Sequence, residues 1–127
     1  MMKAVHHIAI IAGDYERSKK FYTEVLGMEI VREVYRQERD SYKLDLALDG
    51  HYIIELFSFP GAPQRPSRPE AQGLRHLAFA VDDLDREVYR LKQKAVELEE
   101  IRIDPYTGKR FTFFADPDGL PLELYEI

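Results

Sequence analysis

His7 and His76 stand 69 positions apart, and Glu55 and Glu123 stand 68 apart. An imidazole and a carboxylate are therefore laid down twice at nearly one interval. Two neutral imidazoles and two carboxylates offer mixed nitrogen and oxygen donors whose charge balances a dication, which is the donor set of a divalent metal site. Other residues keep the interval: Ala9 with Ala78, Asp14 with Asp83, Asp49-Gly50 with Asp118-Gly119. Self-similarity of this kind implies one structural unit used twice. A lone strand histidine is more often a hydrogen-bonded core or edge residue than a ligand. His6 and His51, which have no repeat partner, are read in that way.

The elements that must carry these residues follow from hydrophobic period and turn chemistry. Val5 to Ile11 is β-branched-rich and predicts a strand. Asp14 occupies an N-cap position before Ser18, Phe21, Tyr22, Val25 and Leu26 at helical spacing, and Gly27 is the stop. Met28 to Tyr35 favours a strand, and Leu44, Leu46 and Leu48 alternate as a half-buried strand does. Asp49-Gly50 predicts a two-residue hairpin turn into the strand His51 to Phe57. The second half repeats the order: a strand over Leu74–Val81, then a helix capped by Asp83 and carrying Leu84, Val88, Leu91 and Ala95. A poorer strand follows over Val96–Ile103, then one over Phe111–Ala115. Asp116-Pro117-Asp118-Gly119 is a turn before a last strand, Leu120 to Tyr125. Each half reads β-α-β-β-β.

Strand side chains alternate faces, so His7 shares a face with Ala9, and His76 with Ala78. The small alanine leaves room beside each ring. Glu55 sits between Ile54 and Leu56, and Glu123 between Leu122 and Leu124. A carboxylate in such a strand is costly to bury unless something positive compensates it.

Pro60, Pro63, Pro66 and Pro69 recur at every third position between the halves and predict an extended, stiff connector. The expected organisation is one domain over 1–127, with modules at 1–59 and 74–127 and the proline-rich linker at 60–73. The linker reads as a plain spacer, or as an arm whose Arg65 and Arg68 meet an anionic substrate. Lys109 and Arg110 are further candidates for holding an anion, against the plainer reading of solvated charge at a turn.

The bulk numbers set limits. A chain of 127 residues, 45% hydrophobic and 32% charged, is long enough to bury a core. Its net charge is −5 with no basic run, which argues against nucleic acid as a partner. There is no cysteine, so thiolate catalysis, disulfides and cysteine zinc sites are excluded. No stretch reaches membrane-span length and the start lacks a cleavable-leader pattern, so a cytoplasmic protein is expected.

These motifs resemble the vicinal-oxygen-chelate superfamily, which holds glyoxalase I, the fosfomycin- and bleomycin-resistance proteins, extradiol dioxygenases and methylmalonyl-CoA epimerase. The resemblance rests on His6-His7-Ile8-Ala9-Ile10, Phe21-Tyr22 with Val25-Leu26-Gly27-Met28, Arg75-His76-Leu77-Ala78-Phe79, and Asp116 through Leu124. It is closest to the small YaeR-like bacterial members. It implies an α+β fold of two tandem βαβββ modules, whose curled mixed sheets surround one divalent ion held by His7, Glu55, His76 and Glu123. A histidine as first ligand is similar to bacterial glyoxalase I enzymes that favour nickel or cobalt; zinc, iron and manganese stay open. The resemblance further implies a lyase or isomerase passing through an enediolate, with Glu123 as the base and Glu55 its counterpart. Glyoxalase I enzymes typically carry an arginine and an asparagine for glutathione where this chain has Ile11 and Phe59, which puts glutathione dependence in doubt. The competing readings are a drug- or metabolite-binding resistance protein, a ring-cleaving dioxygenase and a thiol transferase. A homodimer is expected, because open sheets have edges that need covering.

Overall fold

In the computed structural model, which describes residues 1–127, the strand β1 (Ile8–Ala12) leads to Asp14, whose carboxylate accepts from the Arg17 backbone N–H at 3.1 Å. This cap starts α1 (Tyr15–Lys20), which carries on as a single π-helical stretch over Phe21–Val25. The widening is visible in the Leu26 N–H, which reaches back five residues to the Phe21 carbonyl at 3.0 Å. Gly27 then takes φ +80°, a left-handed stop that costs a glycine little. Strands β2 (Glu29–Arg36), β3 (Ser41–Leu48) and β4 (His51–Ser58) complete the unit. Asp49 and Gly50 both have positive φ (49° and 76°), and Leu48 pairs with His51, so the predicted two-residue hairpin is present.

The second half repeats this order as β5 (Leu77–Val81), α2 (Leu84–Gln93), β6 (Arg102–Ile103), β7 (Arg110–Ala115) and β8 (Pro121–Glu126). Asp83 caps α2 by accepting from Arg86 N–H at 3.0 Å. The turn before β8 is held by Asp116, whose carboxylate accepts from the backbone of Asp118 and Leu120, each at 2.9 Å.

The chain divides into two compact units, Met1–Gln64 and Arg65–Ile127. Each holds one four-stranded mixed sheet, ordered β1-β4-β3-β2 in the first and β5-β8-β7-β6 in the second. The outer strand is parallel to its neighbour and the remaining pairs are antiparallel. The helix of each unit packs on that unit's own sheet, α1 on β4 and α2 on β8. In the first unit Leu44, Leu46, Ile54, Leu56 and Tyr22 are fully buried on the helix side. In the second, Leu84, Leu91, Leu122 and Leu124 do the same. Alternation then leaves the glutamates on the other face of each sheet. No helix is long and apolar enough to cross a membrane.

Four sequence expectations need correction. Neither histidine lies inside a strand, since β1 begins at Ile8 and β5 at Leu77. Each imidazole sits one residue earlier, where the backbone is not yet committed to the ladder. The helix expected to run to Leu26 is α-helical only to Lys20. The strand expected over Val96–Ile103 shrinks to Arg102–Ile103, the only residues in ladder register with β7; Glu99 makes a separate backbone bond to Phe113 O at 2.9 Å. Ala95 lies beyond α2 rather than in it, at φ +62°. There the Val96 N–H bonds Leu91 O at 3.1 Å and the Ala95 N–H bonds Lys92 O at 3.0 Å, a Schellman ending with alanine where glycine is the usual choice. The proline segment forms neither helix nor strand, as expected, but the chain from Arg65 onward belongs to the second unit.

Candidate metal half-sites

Register sets the geometry of both pairs. On the parallel strands Ala9 lies opposite Glu55, and Ala78 lies opposite Glu123. A histidine two residues before each alanine therefore overhangs the carboxylate. His7 Nε2 stands 3.7 Å from Glu55 Oε2, and His76 Nε2 stands 3.0 Å from Glu123 Oε2. Both glutamates are largely withdrawn from solvent, with side chains 15% and 11% exposed. Two donors each roughly 2.1 Å from one ion, at right angles, would be roughly 3 Å apart. The donor types and the spacing fit a shared cation, more closely in the second unit than in the first. Within either unit no group of three or more His, Asp or Glu side chains is close enough to hold a metal ion, so each unit offers a half-site.

The surroundings differ. In the first unit Tyr52 donates its hydroxyl to Glu55 at 2.8 Å, and Lys43 Nζ lies 3.5 Å from the same carboxylate oxygen. Asp45, paired across the ladder with Glu55 and almost fully buried, accepts from Lys43 at 2.8 Å and from Tyr52 at 3.2 Å. Arg32 closes this network, 3.3 Å from Asp45. Burial alone would raise the Asp45 carboxyl, but the Lys43 ammonium with the Tyr52 and Arg32 hydrogen bonds outweighs it and holds the group below its usual value. Burial, then the two acidic neighbours, pushes the Tyr52 phenol up, so it stays a donor. The His7 ring stacks on Tyr52 (5.4 Å between centroids, 2° between planes), and its Nδ1 lies 2.9 Å from Nδ1 of His6. One of those nitrogens must carry the proton. With it on His7, the lone pair of Nε2 faces Glu55, the arrangement a ligand histidine needs.

Around Glu123 there is no such network. Its ladder partner is Phe113, and Phe111 and Tyr125 form the next pair on the same face. His76 meets the edge of Phe113 at 5.0 Å. Arg75 donates to His76 Nδ1 at 3.2 Å while its other nitrogens hold Glu70 at 3.0 and 3.1 Å. A cation on Nε2 would put the imidazole proton on Nδ1, so this Arg75 contact must open on binding. A cleft of about 320 Å³ borders His76 and Glu123, walled by Phe111, Phe113, Tyr125, Arg102 and Tyr106. Tyr125 is fixed there by its bond to Asp104 at 2.9 Å and by Thr107.

The four further candidates fall in the second unit. Arg110 is engaged by Asp85 and Glu126, each at 3.0 Å, which raises the guanidinium further and holds Glu126 down at about 2. Its visible role is to tie β7 to β8 and to the first turn of α2. Lys109 sits exposed in the β6–β7 connection, its backbone N–H bonded to Thr107. Arg65 donates to the Leu74 and Arg75 carbonyls and, with exposed Arg68, lines a second cleft. Tyr52, Lys43, Arg75 and Arg102 were missed by the sequence reading. Tyr52 alone left a trace, as a tyrosine three residues before a repeated glutamate.

Comparison with known proteins places the fold in a family. Residues 4–124 match the family model described as glyoxalase/bleomycin resistance protein/dioxygenase superfamily. The chain is 67% identical over 125 residues to the uncharacterized protein YaeR of Escherichia coli (strain K12), covering 98% of this chain and 97% of the relative. It is 64% identical over 126 residues to the uncharacterized protein YwkD of Bacillus subtilis (strain 168), covering 99% and 98%. The crystal structure of SMU.1112c superposes with a TM-score of 0.93 at 47% identity, covering 99% of this chain and 100% of that one. More distantly, the chain is 31% identical over 128 residues to a lactoylglutathione lyase of Salmonella typhimurium, covering 94% of this chain and 90% of the relative.

Proposed function

Because the chain belongs to the glyoxalase/bleomycin resistance protein/dioxygenase superfamily, we propose that it is a metal-dependent lyase or isomerase acting on a small substrate with two adjacent oxygens. The observation that carries this reading is the imidazole–carboxylate pair built twice in one register, Ala9 facing Glu55 and Ala78 facing Glu123. His7, Glu55, His76 and Glu123 would together hold one divalent ion, with nickel, cobalt or zinc the leading candidates. When bound, the ion supplies a Lewis acid beside the substrate's oxygens.

The chain's own groups divide the remaining work. Glu55 is held by Tyr52 and stands near Lys43, so its carboxylate is positioned and slow to turn. Glu123 has His76 as its close partner and an open cleft beside it, so its carboxylate, loosened from the ion, is the group that takes and returns a proton. Phe111 and Phe113 wall the cleft beside it. Ile11 and Phe59 offer no charge or amide to a thiol carrier. A glutathione carboxylate placed there would lose charge-assisted hydrogen bonds worth ~1.5–3 kcal/mol each. Losing two lowers kcat/KM by about two to four powers of ten. The acting form is a homodimer, since the long edge strand β2 exposes Ile30, Val31, Val34 and Tyr35.

Elemental analysis of protein purified without added metal tests the reading, followed by assay of the nickel- and cobalt-loaded forms on the glutathione hemithioacetal of methylglyoxal. About one divalent ion per complete four-ligand site and slow turnover are expected. A metal-free protein that cannot be loaded would overturn the metal assignment. Efficient turnover would overturn the glutathione argument.

A further inference from the structure

The second unit contains two clefts that share a wall. Arg75, Arg102 and Phe113 line both. One is the cleft of His76 and Glu123; the other, about 160 Å³, is also bordered by Arg65, Ser67 and Arg68. Its charge is out of character for a chain of net −5: four guanidiniums face two carboxylates, Glu70 and Glu99.

Those six charges do not cancel locally. Arg75 is matched by Glu70 through two bonds at 3.0 and 3.1 Å. Arg102 has a looser contact to Glu99 at 3.5 Å, and its guanidinium lies over Phe111 and Phe113, 5.0 and 5.7 Å from their centroids. Arg65 donates only to neutral acceptors: Ser67 Oγ at 2.8 Å, Leu74 O at 2.8 Å and Arg75 O at 3.2 Å. Its position is fixed while its charge has no counterion. Ser67 in turn donates to Gly119 O at 2.8 Å, which stitches this arm to the turn before β8. Arg68 has no carboxylate within 4 Å. Two guanidiniums without a bonded carboxylate, Arg65 preorganised and Arg68 acting on Glu70 only at longer range, in a cleft too small for a peptide carrier, match one compact dianion.

We propose that this cleft is a phosphate subsite, and that the substrate is a small phosphate monoester whose oxygenated end passes Arg75, Arg102 and Phe113 to reach His76 and Glu123. The second clause rests on the proposed function; the phosphate site stands without it.

The test is a titration of the full-length protein, as purified, with inorganic phosphate and separately with acetate at constant ionic strength, followed by backbone amide shifts. Saturable phosphate binding is expected, with shifts at Arg65, Ser67, Arg68 and Gly119. Affinity should fall about tenfold in Arg68→Gln and further in the Arg68→Gln/Arg102→Gln double variant, both at exposed positions. His76→Ala should bind phosphate as the unaltered protein does. Equal affinity in the double variant, or no saturable shift at all, overturns the subsite. Acetate binding as tightly as phosphate overturns the phosphate assignment. Loss of phosphate binding in His76→Ala puts the anion at the metal ligands, so the subsite falls while the metal reading survives. A metal-free protein that still binds phosphate through Arg68 has the opposite meaning.

Discussion

The two units use one frame to hold two different carboxylates. Opposite Glu55 across the ladder stands Asp45, and opposite Glu123 stands Phe113. Two pairs further along, on the same face, Lys43 faces Phe57 and Phe111 faces Tyr125. Three residues before Glu55 is Tyr52, whose hydroxyl grips it; three residues before Glu123 is Leu120, buried in the core. The first carboxylate is thus braced by polar neighbours and the second walled by aromatic rings. A repeated backbone fixes where a carboxylate sits, and the unrepeated neighbours decide what surrounds it.

The largest expected effect comes from deleting a ligand. His76→Ala should lower metal affinity by about 100-fold or more, beyond the range typical of outer-shell changes, as read by competition with a chelator. Full metal occupancy in that variant would end the equivalence of the two half-sites. Tyr52→Phe should cost about 10–100-fold in metal affinity, because Glu55 loses the bond that orients it. Tyr125→Phe, in the other unit, removes bonds to Asp104 and Thr107 and should leave metal affinity within about threefold, a change too small for a lost outer-shell bond. Equal losses in the two would mean that the braced and open halves are not distinct.

Lys43→Met tests the brace from the side of stability. It strips the buried Asp45 of one of its two cations, so denaturant unfolding should report a loss of about 1–3 kcal/mol. No change would mean that Arg32 alone compensates the charge. The smallest effect lies at the helix stops, where Gly27 and Ala95 occupy matching left-handed positions. Ala95→Gly should stabilise by about 1 kcal/mol and Gly27→Ala should destabilise by about the same. A Cβ on Gly27 would meet nothing within 4 Å, so backbone strain alone is being measured. A shift of the midpoint in the wrong direction at either site would separate the two endings.

The halves of the fold were legible wherever a few neighbouring residues decide the outcome. Asp14 and Asp83 announce their helices because a cap needs only an oxygen within reach of the next turn's N–H groups. Asp49-Gly50 announces the hairpin because both residues tolerate positive φ. Strand β6 was overestimated because Val96 and Leu98 alternate as in a strand, while Glu99 alone of residues 96–100 bonds to β7 and no continuous ladder forms. Ala95 was placed on the helix by its spacing alone, since alanine carries no signal for a left-handed stop.

The sequence by itself determined the repeat, the order of elements, and the two histidines and two glutamates set at nearly equal intervals. Interval and period are properties of the chain and survive any packing. Only the tertiary structure decided that Tyr52 and Lys43 attend Glu55, that Arg75 touches His76, and that Arg65, Arg68 and Arg102 border one cleft. Those groups are brought together by strand register and by the fold of the proline-rich arm against the turn at Gly119. Register follows from how a whole sheet buries its apolar face, so no short window of sequence contains it.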